Sequence, residues 1–144
     1  MKFKAINNAT FFESHKLFAV VGASADRSKF GSKVLRCYQK RGLPVIPINK
    51  KTPTIEGLDC VPTLTELSSS LPSGHAMSDI GVSIITPPGA TCAVIQEGYD
   101  LGCRNFFLQP GTYDNAVDDS CSALKEANII KSCVLVDLDC HDDF

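Results

Sequence analysis

The run from Phe18 to Ser24 constrains the fold of this chain more than any other segment. Four apolar residues, Phe18-Ala19-Val20-Val21, precede the small residues Gly22-Ala23-Ser24, and a helical pattern follows a basic loop and Gly31. A buried strand that breaks into a turn of small residues before an amphipathic helix is typical of a βα unit that binds phosphate. The segment therefore predicts a parallel sheet with helices packed on it.

The turn departs from the dinucleotide fingerprint G-x-G-x-x-G. Ser24 stands at the position of the second glycine, and the next glycine is Gly31. NAD-binding proteins usually place a carboxylate after the second strand, but this chain has Asn49 followed by Lys50. An amide and a lysine suit a phosphorylated ribose better. These residues thus indicate either coenzyme A, with a 3′-phosphate, or NADP, with a 2′-phosphate, and do not separate the two.

Strand and helix patterns alternate along most of the sequence. They predict an α/β fold of the Rossmann-like, doubly wound type, with a mainly parallel sheet of about five or six strands between two layers of helices. The predicted strands are 17–21, 43–48, 55–58, 80–85, 105–108 and 133–138. The predicted helices are a lead-in at 9–15 and then 30–41, 63–67, 88–101 and 112–128. Pro44 and Pro47 predict little pairing on one side of the second strand.

The bulk properties of the 144 residues limit the classes of function. The length predicts one domain over residues 1–144, with a core at about 10–140 and an acidic tail at 139–144. A net charge of −2 does not favour a nucleic-acid partner. The sequence shows neither an apolar leader nor a membrane span, so we expect a cytoplasmic location and no membrane partner. Basic residues are concentrated between positions 27 and 51, where Arg27 and Lys29 favour a phosphorylated ligand.

The cysteines and histidines give weaker signals. The seven cysteines lack C-x-x-C spacing, which predicts reduced thiols and no metal site. One hypothesis is that Cys92 or Cys140 forms a mixed disulfide with the thiol of CoA. We interpret the three histidines, His15, His75 and His141, as surface residues without a catalytic role.

Several motifs at predicted strand ends occur in register along the chain. They are Val21-Gly22-Ala23-Ser24, Gly31, Pro44 to Lys50, Gly57, Thr86-Pro87-Pro88 and Leu108-Gln109-Pro110-Gly111. Together they resemble the small stand-alone CoA-binding domain proteins, which are similar to the N-terminal CoA-binding domain of the succinyl-CoA synthetase α subunit. The resemblance covers roughly residues 10–140 and implies a Rossmann-like sheet that holds the ADP part of CoA.

The resemblance also implies a role for each matching position. It places Gly22, Ala23 and Ser24 at the diphosphate, and Asn49 with Lys50 near the ribose and its phosphate. Thr86 and Pro87 would line the adenine side, and Gln109, Pro110 and Gly111 the opposite wall. At the last strand the family tends to show Asp-Arg-Cys or Asp-Lys-Cys, where this chain is read as Leu138-Asp139-Cys140, without the positive charge.

The functional expectation is a binding or regulatory module for CoA or an acyl-CoA, more plausibly non-catalytic than an enzyme. The first alternative is an NADP-binding protein or an oxidoreductase-like Rossmann domain. The second is a protein-interaction module with a degenerate pocket. The expected partner is a small nucleotide-type ligand, and the expected assembly is a monomer or a homodimer.

Overall fold

The computed structural model describes residues 5–140, and the centre of the fold is a five-stranded, entirely parallel sheet. Its strands are β1 (Leu17–Val21), β2 (Val45–Ile48), β5 (Ile80–Ile84), β6 (Asn105–Leu108) and β7 (Asn128–Lys131). The spatial order is β2-β1-β5-β6-β7. Two short strands, β3 (Thr54–Ile55) and β4 (Leu58–Asp59), form a separate antiparallel hairpin.

Helices cover both faces of the sheet. They are α1 (Phe30–Lys40), α2 (Leu64–Ser69), α3 (Pro88–Asp100), α4 (Asn115–Ser122) and α5 (Val134–Asp137), with a 3₁₀ turn at Met77–Asp79. Buried residues of α1 and α5 belong to one core cluster, and buried residues of α2, α3 and α4 belong to the other. The predicted three-layer α/β/α fold is therefore confirmed.

The central strand β1 shows why two cores form. All five of its residues are buried, and successive side chains point to opposite faces of the sheet. Phe18 and Val20 pack in the core under α1, whereas Ala19 and Val21 pack in the core under α3. The first core is rich in aromatic rings, with the Phe18 and Tyr38 centroids 5.0 Å apart. A continuous apolar strand of this kind requires helices on both of its faces.

The prediction about the second strand is confirmed. Strand β2 lies at the edge of the sheet, where Pro47 pairs with Val20 on the inner side. On the outer side an isolated bridge joins Ile48 to Val61. Proline has no N–H to donate, so an edge position removes the need for a full ladder on both sides.

The last predicted strand is wrong. Residues 128–131 form the final strand β7, and within the predicted strand 133–138 the structure has α5 instead. Leu124 to Asn128 includes good helix formers, and for this reason the predicted helix 112–128 runs too far. In the structure α4 ends at Ser122, and Glu126 adopts φ +57° in the turn that leads to β7. The side chain of Gln109 then accepts the Val134 N–H at 2.7 Å and fixes the start of α5. This tertiary contact has no local sequence signal.

Two further boundaries differ from the expectation. The lead-in at 9–15 forms hydrogen-bonded turns, with Phe11 N–H bonded to the Asn7 carbonyl at 2.9 Å, and no regular helix. The predicted third strand at 55–58 is the hairpin β3–β4, because Glu56 and Gly57 both adopt positive φ and turn the chain. Thr63, the first residue of the predicted helix 63–67, caps α2, since its hydroxyl oxygen accepts the Glu66 N–H.

The expectation that all cysteines are reduced thiols is also wrong. Cys37 of α1 and Cys140, just beyond α5, form a disulfide between residues 103 positions apart in sequence. Both are fully buried, and packing of α1 against α5 brings their Cα atoms to 5.9 Å. Five cysteines remain free. Spacing along the chain could not reveal this pair, because only the packing of the two helices brings it together.

His15 is not a surface histidine, because it is buried at the amino ends of the strands. Its Nδ1 lies 2.7 Å from the Phe11 carbonyl oxygen, and Asn105 Nδ2 lies 2.9 Å from its Nε2. A carbonyl can only accept, so Nδ1 carries the proton and Nε2 accepts from the Asn105 amide. Burial lowers the pKa of His15 and favours this neutral form. His75 is half-buried, and His141 with the tail residues 141–144 lies outside the described residues.

Candidate functional site

The carboxyl ends of β1 and β5 define the centre of the candidate site. These strands are neighbours in the sheet, and the chain leaves β1 towards α1 on one face and leaves β5 towards α3 on the other. The diverging connections open a crevice above the strand ends, which is where open α/β sheets bind ligands.

A close contact between two glycines holds the turn after β1 against α1. Gly22 adopts φ +97°, and a Cβ atom there would lie 2.9 Å from the backbone of Ile85. A Cβ atom on Gly31 would lie 2.1 Å from the Gly22 carbonyl oxygen. No side chain fits in such a contact. Gly31 therefore allows α1 to pack closely on the turn after β1, which is the role of the last glycine in the dinucleotide fingerprint. The wider spacing accommodates a longer loop.

That loop is ordered by its own side chains. The Ser24 hydroxyl accepts the Asp26 N–H at 3.1 Å. Asp26 Oδ1 accepts the N–H of Ser28 at 3.0 Å and its hydroxyl at 2.6 Å, and these bonds lower the pKa of Asp26. The loop that joins the turn to α1 therefore keeps a defined shape without help from a ligand.

Helix α1 begins at the crevice without an internal cap. Its N-cap residue, Lys29, makes no side-chain capping bond, and its first turn contains no acidic residue. By contrast, Thr63 caps α2 and Asp114 caps α4 with side-chain oxygens. The first N–H groups of a helix need acceptors and favour a negative charge. The start of α1 is thus suited to an anion supplied from outside the chain.

A cavity of about 270 Å³ opens at this point, and we name it the turn cavity. Eight of the twelve residues that the sequence predicts as ligand contacts line it: Gly22, Ser24, Lys29, Thr86, Pro87, Gln109, Pro110 and Gly111. The structure therefore brings together the turn after β1 and the segments that follow β5 and β6. Phe30, Gly31, Ile85 and Thr112 also line the cavity and were not among the predicted contacts.

A second cavity of about 310 Å³ lies beside the ends of β1 and β2, and we name it the Lys50 cavity. Its walls are largely apolar, with Val21, Ile48, Leu64 and Val94 among the lining residues. Lys50 is the predicted contact residue found here. The wall opposite β1 comes from α2 and α3, so tertiary structure rather than any local motif creates this cavity.

Asn49 and Ala23 join the two loops above β1 and β2. The Asn49 amide donates to the Ala23 carbonyl at 2.8 Å. Its side-chain oxygen accepts the N–H groups of Lys51 at 2.7 Å and Thr52 at 2.9 Å. Because both ends of the amide are engaged within the chain, Asn49 holds the β2 loop against the turn and thereby positions Lys50.

Arg27 and Gln109 also make internal contacts. Arg27 Nε lies 3.4 Å from Glu56 Oε2. This ion pair directs the exposed arginine side chain towards the hairpin β3–β4. Neither of the two cavities has Arg27 in its lining. The Gln109 side chain binds the Val134 N–H and the Cys133 sulfur, so it serves the start of α5.

The end of the last strand corrects the proposed departure from the family pattern. Strand β7 ends at Lys131 and is followed by Ser132 and Cys133. A lysine and a cysteine therefore do occupy this edge, whereas Leu138-Asp139-Cys140 follows α5 and is not part of the last strand. Lys131 forms an ion pair with Asp118, and its pKa is raised by that carboxylate.

The cysteine hypothesis finds no support at the crevice. Cys140 is buried in its disulfide with Cys37. Cys92 is half-buried and packs on the core beneath α3 and α4. Neither residue lines either of the two cavities.

A larger cavity of about 520 Å³ lies elsewhere, between the lead-in, the end of α1 and α5. We name it the Arg41 cavity. The Arg41 guanidinium donates to the carbonyl oxygens of Leu138 at 2.7 Å and Asp139 at 2.6 Å. None of the twelve predicted contacts lines this cavity. Size alone therefore does not identify the candidate site.

Comparison with known proteins assigns the family. The sequence matches the model of the CoA binding domain family over residues 16–139, so the chain belongs to that family. No curated protein gives a significant match.

Solved structures show the same fold. A conserved hypothetical protein from Pyrococcus furiosus superposes with a TM-score of 0.72 at 24% identity, covering 84% of this chain and 97% of its own. A hypothetical protein from Pyrococcus horikoshii gives a TM-score of 0.74 at 17% identity and 96% coverage of both chains. A Thermus thermophilus protein gives 0.72 at 21% identity, with coverage of 90% and 92%.

Residues 5–140 are the part of the chain that the structure describes. In this part of the chain no helix has the length and apolar character needed to cross a membrane. Nor do the same residues contain a group of three or more His, Cys, Asp or Glu side chains arranged to hold a metal ion.

Proposed function

We propose that the protein binds CoA, or an acyl-CoA, through its ADP moiety at the carboxyl edge of the sheet, as a non-catalytic binding or regulatory module. The observation that carries the proposal is the contact between Gly22 and Gly31, which sets the uncapped start of α1 against the turn after β1. Membership of the CoA binding domain family supports the choice of ligand.

The diphosphate would bind at this turn. Backbone N–H groups at the start of α1 and the side chains of Ser24 and Lys29 lie at the turn cavity. A helix N-terminus and an exposed lysine together favour a doubly charged diphosphate. The self-ordered loop supports the same role, because binding would cost little conformational entropy.

The adenosine would extend into the Lys50 cavity. Its apolar walls suit an adenine ring, and Lys50 at its lining could meet a phosphate on the ribose. The hydrogen bonds of Asn49 hold that lysine's loop in place. We therefore propose that Lys50, rather than Asn49, has the direct role toward the 3′-phosphate.

The residues around the crevice are the basis on which we propose a non-catalytic role. Among the described residues, no histidine or cysteine lines the turn cavity or the Lys50 cavity. Glu97 lines the Lys50 cavity, but its carboxylate accepts both the N–H and the hydroxyl of Thr65. The carboxylate is thus occupied in holding α2 against α3.

A ligand panel followed by thermal unfolding tests the proposal. CoA and acetyl-CoA should stabilise the protein most, with dephospho-CoA, ADP and NADP giving smaller shifts. A ligand at 100 times its dissociation constant adds about 2.7 kcal/mol to the free energy of unfolding. No shift with any ligand would contradict the proposal and favour an interaction module, whereas a larger shift with NADP would favour the dinucleotide alternative.

A charge reversal at Lys50 tests the role of the 3′-phosphate. Lys50→Glu should weaken binding of CoA more than binding of dephospho-CoA, because only CoA carries that phosphate. Lys51→Glu is the matched control, since Lys51 is exposed in the same loop and lines neither of the two cavities. Isothermal titration calorimetry measures the affinities of the wild-type protein and of both variants for each ligand. Equal losses for both ligands with Lys50→Glu would remove this role.

A further inference from the structure

Phe30 is an apolar side chain left in solvent at the mouth of the candidate site. It is 55% exposed, although it is the first residue of α1 and precedes the buried Val34 by one helical turn. That spacing predicts a core position, but the ring is exposed at the turn cavity instead. Its exposure therefore calls for a different partner.

The surroundings of Phe30 indicate what that partner is. The ring lines the turn cavity together with Ile85, Pro87 and Pro110, which are also apolar. Lys33 lies over the ring, with Nζ 5.4 Å from the centroid, and Lys29 lines the same cavity. A ligand that is anionic at one end and apolar along an adjoining segment would satisfy both sets of residues.

The size of the turn cavity limits what it can enclose. Its volume of about 270 Å³ is at the small end of ligand sites, so it can hold only a part of a molecule as large as CoA. A diphosphate bound at Gly22 and Ser24 leaves the next part of the ligand to pass over the rim. In CoA that next part is the pantetheine arm, which contains alternating alkyl and amide groups.

We propose that Phe30 is a specificity-determining residue that binds the pantetheine arm and so selects CoA over adenine nucleotides that lack it. This inference rests on the proposed function and adds a second binding segment to it. The ring covers the alkyl part of the arm, and Pro87 and Pro110 provide further apolar surface of the same cavity. Burial of an exposed aromatic ring by ligand supplies the selectivity.

The test compares two ligands that share the charged end and differ in the arm. Adenosine 3′-phosphate 5′-diphosphate carries the base, the phosphorylated ribose and the diphosphate without pantetheine. Phe30→Ala should raise the Kd of CoA about five- to tenfold, the scale of one aromatic contact. The Kd of adenosine 3′-phosphate 5′-diphosphate should stay within about twofold, because the variant removes no group from the diphosphate turn.

Two further variants serve as controls. Phe30→Tyr keeps the ring and should restore CoA affinity. Val136→Ala removes the other large exposed hydrophobic side chain of the described residues, which is 59% exposed and outside the turn cavity, and should leave both affinities unchanged. Alanine is the best helix former, so Phe30→Ala should leave α1 intact. Circular dichroism of each variant verifies this.

Each remaining outcome overturns the inference in a recognisable way. An equal loss for both ligands with Phe30→Ala would show that the ring acts on the turn and not on the arm. Unchanged CoA affinity would show that the ring does not bind the arm. If the wild-type protein binds CoA no better than adenosine 3′-phosphate 5′-diphosphate, this inference fails while ADP binding stands. If it binds neither ligand, the proposed function itself fails.

Discussion

At the amino ends of the strands, His15, Asn105 and Asn128 satisfy one another's hydrogen bonds, whereas at the carboxyl ends α1 begins without a side-chain cap. Asn128 Nδ2 donates to Asn105 Oδ1 at 2.6 Å, and the Ile6 N–H donates to Asn128 Oδ1 at 3.1 Å. The network is closed by contacts within the chain. At the other edge, the start of α1 and the exposed ring of Phe30 face the turn cavity instead.

The difference between the two edges distinguishes polar groups that stabilise the fold from polar groups that are available to a ligand. A buried polar group that has a partner inside the chain contributes to stability and specificity of packing. A donor that has no internal partner, and that lies beside a cavity, is available for a ligand. His15 belongs to the first class and the start of α1 to the second.

The largest effect is expected from Gly31→Ala. The added Cβ atom would stand 2.1 Å from the Gly22 carbonyl oxygen, so α1 must move away from the turn. We expect a loss of about 3 to 4 kcal/mol in the free energy of unfolding and no measurable CoA binding. Urea unfolding and calorimetry measure the two quantities.

Gly89→Ala is the control for that variant. Gly89 is also the second residue of a helix, α3, but a Cβ atom there meets nothing within 4 Å. The substitution should be neutral or stabilising by about 1 kcal/mol or less. If both variants are equally stable, the close contact does not hold the turn.

The disulfide between Cys37 and Cys140 should affect stability without affecting the ligand edge. It fastens α5 to α1 on one face and lines neither the turn cavity nor the Lys50 cavity. Replacing both cysteines with alanine should lower the free energy of unfolding by about 3 kcal/mol and leave CoA affinity unchanged. A reductant should lower the melting temperature of the wild-type protein but not that of the double variant. A weaker affinity for CoA would show that the two regions are coupled.

A smaller effect is expected from pH at the amino edge. Because burial lowers the pKa of His15 below its ordinary 6.5, the unfolded chain binds a proton on this residue more readily than the folded protein. His15 therefore stabilises the fold above pH 6.5, and this contribution is lost as the pH falls further, by at most about 1.4 kcal/mol per pH unit.

Urea unfolding at pH 7.5 and pH 5.0 measures that loss. His15→Gln should show a weaker dependence on pH than the wild-type protein, because an amide does not titrate. The difference between the two proteins isolates His15 from the other histidines. The same pH dependence in both would mean that the buried network does not respond to protonation of this residue.

Much of the fold could be predicted from the sequence because local patterns determine it. The apolar run of β1, the prolines of β2 and the cap at Thr63 each carry their own physical signal. The last strand could not be predicted in this way. Residues 128–131 and 133–138 are both short and contain apolar residues, and the hydrogen bond at the start of α5 comes from Gln109, in a different part of the chain.

The candidate site was predictable to a similar extent. Strand-end motifs identified most of the turn cavity, because parallel strands bring their carboxyl ends to one edge. The partners of individual side chains were harder to predict from the sequence. Asn49 and Gln109 resemble ligand contacts, and the structure shows that both side chains form hydrogen bonds within the chain. Gly31 carried a signal in its position at the start of an uncapped helix. Phe30 carried a misleading one, because its spacing indicates the core.

The most direct test of the account maps the amide signals of the folded protein by NMR during titration with CoA. The account predicts large shifts at the carboxyl edge, at Gly22, Ser24, Gly31 and Gly111, and little change at Asn105 and Asn128. Shifts confined to the Arg41 cavity, for example at Ala9 and Leu43, or at the amino-edge network, would contradict the assignment of the two edges.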